Sequence, residues 1–221
     1  MPVSGVYLYA LLGANPATSP GVGVSDEPLR TVDLGGLFAL VGDVPAALAP
    51  SPATLTAQDA VLRRLATGVD AILPARFGTL VADDATLVES LTARRTELTR
   101  ALAQVSGCEQ MTLRVWGEQA APPADAGVTD AGPGARYLAA RRRARQVPEV
   151  DTLRRRLGAL VKAERVERHD RPPLLATVQH LVPRGESAQY LAEVEAAGAQ
   201  LAPWRVTVTG PWLPYAFSGA A

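Results

Sequence analysis

The stretch from position 118 to 134 interrupts every regular pattern in this 221-residue chain. It holds three of the 18 prolines, and Val128 is its only large aliphatic residue. A segment that lacks backbone donors and has little apolar surface to bury is typical of a linker or an exposed loop. The chain is therefore predicted to form two domains, at 1–117 and 135–221, each near the usual size of a single core.

Strand-like and helix-like patterns alternate on both sides of this linker. The first part predicts the order β-β-β-α-β-α-β, with a central strand over 6–12 and one helix whose apolar stripe runs from Leu87 to Val105. In the second part, 135–168 is predicted to be helical apart from a kink or break at Pro148, and a strand, a helix and a strand follow. The order indicates an α+β fold with mostly antiparallel sheets, ferredoxin-like at least in the first domain. The second domain is expected to carry long charged helices and an aromatic C-terminal tail.

Charge is unevenly distributed although the net charge is zero. Residues 136–171 include twelve basic and five acidic residues, so the remainder of the chain is acidic. Three consecutive arginines at 141–143 spread around a helix, acidic residues interrupt the series, and no aromatic side chains alternate with it. A solvated face, or one paired with acidic residues, is the favoured interpretation, and nucleic-acid binding remains the alternative.

The residues offer little for catalysis, metal binding or membrane insertion. His169 is interpreted as solvated, His180 as a partly buried structural residue, and Cys108 as a small buried one. No nucleophile motif, phosphate loop or metal spacing occurs, so no catalytic residue, metal or cofactor is predicted. The chain has no apolar run of about 20 residues and no export signal, and we expect it in the cytoplasm and not in a membrane.

Two short segments concentrate aromatic, proline and glycine residues, which shape contact surfaces. They read LPARFGT at 73–79 and GPWLPYAF at 210–217. Arg76 lies in an otherwise apolar stretch and must reach water, a carboxylate or a carbonyl; an internal pair that locks helix to strand is the favoured interpretation. The prolines favour an extended tail that packs on the protein with one edge exposed. The aromatic residues of the two segments are Phe77, Trp212, Tyr215 and Phe217.

In this order, the segments resemble the gas vesicle protein F/L family. The resemblance also includes GVYLY at 5–9, GLFALV at 36–41, the strand at 109–116 and Tyr137-Leu138. The signatures PxRFGT and GPWxPYxF, about 130 residues apart, carry most of it. The chain departs from the family pattern at Ala75, where a methionine or valine is frequent, and at Gln58, where the family has a histidine.

The resemblance implies a non-enzymatic role in building gas vesicles, whose wall is an array of a very small, hydrophobic shell protein. The expected partners are this shell protein and other gas vesicle accessory proteins. We place the contact on the sheet that carries Tyr7, Tyr9 and the Arg76-Phe77 segment, or in a groove between the domains, with Trp212, Tyr215 and Phe217 as further contact residues. A ligand-sensing or nucleic-acid-binding module that uses residues 136–171 is the alternative.

Overall fold

The chain divides into two compact units that do not follow the sequence strictly. The computed structural model describes residues 5–118, 134 and 147–219. The first unit comprises Met1–Cys108 together with Trp212–Ala221, and the second comprises Glu109–Pro211. The position of the C-terminal tail in the sequence predicts that it is part of the second domain. The structure differs there, because the tail aromatics pack against a strand of the first unit, a contact that no local pattern reveals.

A sheet around a fully buried central strand organises the first unit. Its strands follow the order β2-β3-β1-β4, and β5 also pairs with β1. In β1, seven of the eight residues are buried, as the continuous apolar run predicts. All four strand pairings in this sheet are antiparallel. The bounds are β1 Gly5–Leu12, β2 Leu29–Asp33, β3 Phe38–Val44, β4 Ile72–Pro74 and β5 Leu80–Val81.

Three helices accompany this sheet: α1 Pro52–Ala66, α2 Asp84–Ala93 and α3 Arg95–Val105. The single helix predicted around the stripe from Leu87 to Val105 is two helices, because the backbone leaves helical geometry at Arg94 (φ −108°, ψ 11°). The stripe itself is buried as expected, with exposures of 5% or less. The apolar spacing therefore identified the buried face but not the break.

The second unit has a four-stranded sheet of order β7-β8-β6-β9. Its core combines residues of β6 and β8 with those of two helices. The strand β7 runs antiparallel to β8. The bounds are β6 Cys108–Trp116, α4 Asp151–Leu157, β7 Ala163–Arg168, β8 Leu174–Pro183, α5 Ser187–Ala197 and β9 Arg205–Trp212.

The prediction of long charged helices is wrong for the described part of the second unit. Helix α4 has seven residues, and residues 163–168, expected to be helical, form strand β7. Every residue of β7 pairs with β8, so tertiary pairing outweighs the helix propensity of its charged side chains. Most of the predicted linker and of the arginine-rich segment before Val147 lies outside the described residues. The mixed helix and antiparallel-sheet fold is confirmed, whereas the ferredoxin-like comparison stays a prediction.

Candidate functional site

The two sequence signatures meet in one surface groove of the first unit. The groove has a volume of about 850 Å³. We call it the aromatic groove; its walls are helix α1, the loop between β4 and β5, and the C-terminal tail. The lining side chains discussed below are Leu55, Gln58, Asp59, Arg76, Phe77, Trp212 and Tyr215.

Helix α1 contributes an apolar side chain, Leu55, and a polar one, Asp59, to the groove. Ser51 caps its start, accepting a hydrogen bond from the Thr54 N–H at 3.1 Å while the Thr54 hydroxyl accepts one from the Ser51 N–H at 2.9 Å. Residues four apart share a helix face, so Leu55, Asp59 and Arg63 lie along one side. Leu55 is 48% exposed, whereas the other two leucines of the helix, Leu62 and Leu65, are buried.

The loop that carries Arg76 and Phe77 is shaped by a glycine and held by a buried tyrosine. Gly78 has a φ of +84°, a conformation that other residues seldom adopt. The Tyr7 hydroxyl accepts a hydrogen bond from the Gly78 N–H at 2.9 Å and donates one to Gln58 Oε1 at 2.6 Å. Burial raises the pKa of Tyr7, which keeps the hydroxyl protonated for this donation.

Hydrogen bonds within the loop also hold its backbone. The Arg76 carbonyl accepts hydrogen bonds from the Thr79 hydroxyl at 2.7 Å and from the Thr79 N–H at 3.1 Å. The Phe77 ring, half-buried, packs edge-on against the Tyr7 ring at 6.2 Å between centroids. These contacts fix the backbone from which the Arg76 side chain extends.

The C-terminal tail forms the third wall through contacts with α1. Tyr215, in a 3₁₀ turn, donates a hydrogen bond to Asp59 Oδ1 at 2.9 Å. Arg63 pairs with the other oxygen of Asp59 at 2.6 Å and lies over the Trp212 ring, 5.3 Å from its centroid. Burial and the Asp59 carboxylate raise the pKa of Tyr215. The tail therefore packs on the protein, as predicted, with exposed edges at Trp212 and Tyr215.

Among the residues that the structure describes, Arg76 has no internal partner of the kind that the sequence suggested. Its side chain is exposed and makes no hydrogen bond or ion pair with the part of the chain that the structure describes. The nearest acid on the groove wall, Asp59, is already bound by Arg63 and Tyr215. The guanidinium thus extends from the loop without a partner of its own among these residues.

The structure separates the seven predicted contact residues into two sets. Four line the aromatic groove, and three are buried beneath the surface: Tyr7, Tyr9 and Phe217 have exposures of 0%, 0% and 1%. Tyr9 donates to the Glu27 carboxylate and accepts from the Val24 N–H at 2.9 Å. These buried rings support loops instead of offering contact surface. Leu55 and Asp59 were missed, although their spacing of four on a helix was visible in the sequence.

Exposed apolar side chains concentrate in this groove. Among the described residues, five large apolar or aromatic side chains are exposed: Val22, Leu55, Leu191, Trp212 and Tyr215. Three of these five line the aromatic groove. Single exposed apolar residues are common, but a cluster indicates a contact surface.

Both histidines make contacts within the second unit. His180, expected to be partly buried, is fully buried and lies between Tyr190 and Glu164. His169, expected to be solvated, is half-buried and lies 2.9 Å from the Thr177 hydroxyl. Within residues 5–118 and 147–219, no three His, Cys, Asp or Glu side chains are grouped to hold a metal ion. No helix in the same ranges has the length and apolarity needed to cross a bilayer.

The fold and the groove together define a two-unit α+β protein with an aromatic-lined surface groove. The model of the family described as gas vesicle synthesis protein GvpL/GvpF matches residues 5–219. Gas vesicle protein L of Streptomyces sp. (strain CB03234) is 31% identical over 255 residues, covering 97% of this chain and 93% of that protein. Gas vesicle protein F of the same strain is 34% identical over 92 residues, 40% of this chain and 38% of that protein.

Solved structures agree on the fold. The crystal structure of gas vesicle protein GvpF from Anabaena sp. PCC7120 has a TM-score of 0.74 at 16% identity, covering 99% of this chain and 97% of that one. That of GvpF from Microcystis aeruginosa has a TM-score of 0.72 at 18% identity, covering 97% and 98%. The chain belongs to the GvpL/GvpF family of gas vesicle synthesis proteins, which confirms the resemblance found in the sequence.

Proposed function

We propose that this chain is a non-enzymatic accessory protein that binds the small hydrophobic gas vesicle shell protein in the aromatic groove. Binding keeps the shell protein soluble, starts vesicle growth, or does both. Family membership supports the gas vesicle role. The observation that carries the binding role is the clustering of three exposed apolar side chains in a groove built by both family signatures.

The physical case rests on what a shell subunit exposes before it joins the wall. A small hydrophobic protein presents apolar surface and strand edges that aggregate in water. An accessory protein that covers part of this surface lowers that risk. In this proposal the protein acts in the cytoplasm and on growing vesicles, and other gas vesicle accessory proteins are further partners.

The groove supports binding more than catalysis. Two of its polar side chains are engaged: Gln58 accepts from Tyr7, and Asp59 is bound by Arg63 and Tyr215. The raised pKa of Tyr215 keeps its hydroxyl neutral, the opposite of an activated nucleophile.

Nucleic-acid binding gains no support from Arg154 and Arg156, two arginines of the basic segment. Arg154 pairs with Glu164 and Asp151, and Arg156 pairs with Glu193. These ion pairs neutralise charge that phosphates would otherwise meet.

Two matched leucine substitutions test the proposed function by co-expression with the shell protein. Leu55 and Leu191 are exposed to similar extents, 48% and 42%, and each lies near the start of a helix. Leu55→Glu places a charge in the groove, whereas Leu191→Glu places the same charge in the second unit. We expect wild type and Leu191→Glu to co-purify with soluble shell protein, and Leu55→Glu to recover at least about tenfold less, since covering a leucine contributes roughly 1.5–3 kcal/mol.

Circular dichroism and urea unfolding of each variant verify that the fold is intact. Equal recovery with Leu55→Glu and Leu191→Glu would place the contact elsewhere. Shell protein that stays insoluble beside well-folded wild type would rule out direct binding.

A further inference from the structure

We infer that Arg76 is the recognition residue of the aromatic groove, and that the segment it selects carries an aspartate or glutamate beside apolar side chains. This inference rests on the proposed function, because it names the chemistry of what the groove holds. It starts from one juxtaposition: an arginine without an internal partner among the described residues stands next to exposed apolar side chains.

The positive charge of Arg76 is not offset by an acidic side chain among the described residues of the groove. Of the described residues that line it, Asp59 and Arg76 are the charged ones. The carboxylate of Asp59 is neutralised by Arg63 at 2.6 Å and also accepts from Tyr215 at 2.9 Å. Its charge is therefore offset by Arg63, which leaves the positive charge of Arg76 at the loop end of the groove.

Covering Arg76 with a purely apolar segment is unfavourable. A guanidinium removed from water without a partner loses its hydration and gains nothing in return. An occupant that covers Phe77 and Trp212 also reduces solvent around Arg76, so a purely apolar occupant is disfavoured. A carboxylate on the occupant removes this cost, because arginine matches its two oxygens with paired donors.

The loop is prepared for this role before anything binds. The Arg76 carbonyl is held by Thr79, the Gly78 N–H by the Tyr7 hydroxyl, and the Phe77 ring by the Tyr7 ring. A fixed backbone lowers the entropy lost on binding and restricts where the guanidinium can reach. The groove therefore selects its segment by charge at one end and by apolar contact along the rest.

Arg76→Gln and a matched control separate charge recognition from general effects. Arg100 is an exposed arginine of α3 in the same unit and is not part of the groove, so Arg100→Gln removes an equal charge elsewhere. Each variant is co-expressed with the shell protein, and the recovered complex is washed at salt concentrations from about 0.05 to about 1 M, which shortens the range of charge interactions.

We expect Arg76→Gln to retain about 10- to 100-fold less shell protein at low salt, as for loss of a hydrogen bond to a charged group, and to lose most of the salt dependence. Arg100→Gln should behave as wild type. Arg76→Glu is then tested against shell-protein variants in which each acidic residue is replaced in turn by lysine. One of these variants should recover binding, because it restores a pair of opposite charges.

Two results would overturn the inference while leaving the proposed function in place. One is Arg76→Gln binding with wild-type strength and salt dependence while Leu55→Glu does not bind. The other is an Arg76→Gln effect on self-association alone, seen by sedimentation, which would make a second copy of this chain the occupant. Failure of wild type itself to bind would overturn both.

Discussion

The two units use buried tyrosines for different purposes. In the first unit, the hydroxyls of Tyr7 and Tyr9 accept from loop backbone N–H groups, those of Gly78 and Val24, both at 2.9 Å. In the second unit, the Tyr190 hydroxyl lies 2.7 Å from a ring nitrogen of His180, a side chain of the sheet. One unit thus uses tyrosine hydroxyls to hold loops, whereas the other ties helix to sheet.

The ion pairs of the two units differ in how deeply their charged side chains are buried. In the first unit, Arg30 pairs with Asp43 and Asp84 at the surface, where the side chains are 37%, 67% and 49% exposed. In the second unit, the Glu149 side chain is fully buried and pairs with Arg168. Exposed pairs contribute little to stability, but a buried charge depends on its partner. The second unit should therefore be the more sensitive to loss of a charge.

The largest effect is expected for Arg168→Met. The substitution leaves the buried Glu149 carboxylate without this partner, and breaking such a pair costs about 3–5 kcal/mol. Urea unfolding measures the loss, and peptide-resolved hydrogen exchange shows whether it is confined to the second unit. Arg165→Met, at an exposed position of the same strand, removes an equal charge and should cost less than about 1 kcal/mol.

The double variant Glu149→Leu with Arg168→Met completes this test. Replacing both partners by apolar side chains should recover much of the lost stability, because no unpaired charge is left. A double variant as unstable as Arg168→Met would show that packing around Arg168, and not the buried carboxylate, causes the loss.

One substitution made in both units tests the comparison most directly. Tyr7→Phe and Tyr190→Phe each remove a hydroxyl from a fully buried ring, and each should cost about 1–3 kcal/mol by leaving polar groups unsatisfied. Only Tyr7→Phe should also reduce shell-protein recovery, since it releases Gly78 in the groove loop. Urea unfolding and co-purification measure the two effects.

Equal recovery of shell protein with both tyrosine variants would contradict the division of roles. It would mean that the loop keeps its shape without the Tyr7 hydroxyl, through the Thr79 hydrogen bonds alone.

Much of the fold was predictable because local patterns reflect local structure. The central strand β1, the hairpin of β2 and β3 and the buried stripe up to Val105 follow from periodicity. The break at Arg94 and the strand β7 did not, because a helix break leaves the apolar spacing nearly unchanged and β7 depends on pairing with β8.

The site was predictable in its residue types but not in its geometry. Arg76, Phe77, Trp212 and Tyr215 were identified as contact candidates, and the structure brings all four into one groove. Nothing local indicated that Tyr215 reaches Asp59, 156 positions away in the sequence, or that Tyr7 lies beneath the loop. The sequence favoured an internal partner for Arg76, and the structure shows none among the described residues.

The smallest expected effect is a pH dependence of the second unit. Desolvation favours the neutral form of Glu164, but hydrogen bonds from His180 and Arg154 outweigh it and lower the pKa of Glu164 to about 2 from its ordinary 4.5. The stabilisation is therefore present above pH 4.5 and is lost as pH falls toward 2. Since the side chain is 28% exposed, we expect about 1 kcal/mol, less than an unscreened pair would give.

Urea unfolding of wild type and Glu164→Gln between pH 5 and pH 2.5 measures this contribution, at about half-unit intervals. Wild type should lose more stability than Glu164→Gln across the range, because the amide has no proton to gain. Hydrogen exchange should place the difference around Arg154 and His180, which face Glu164. Parallel pH profiles for the two proteins would mean that protonation of Glu164 does not cause the loss of stability in acid, which would contradict this prediction.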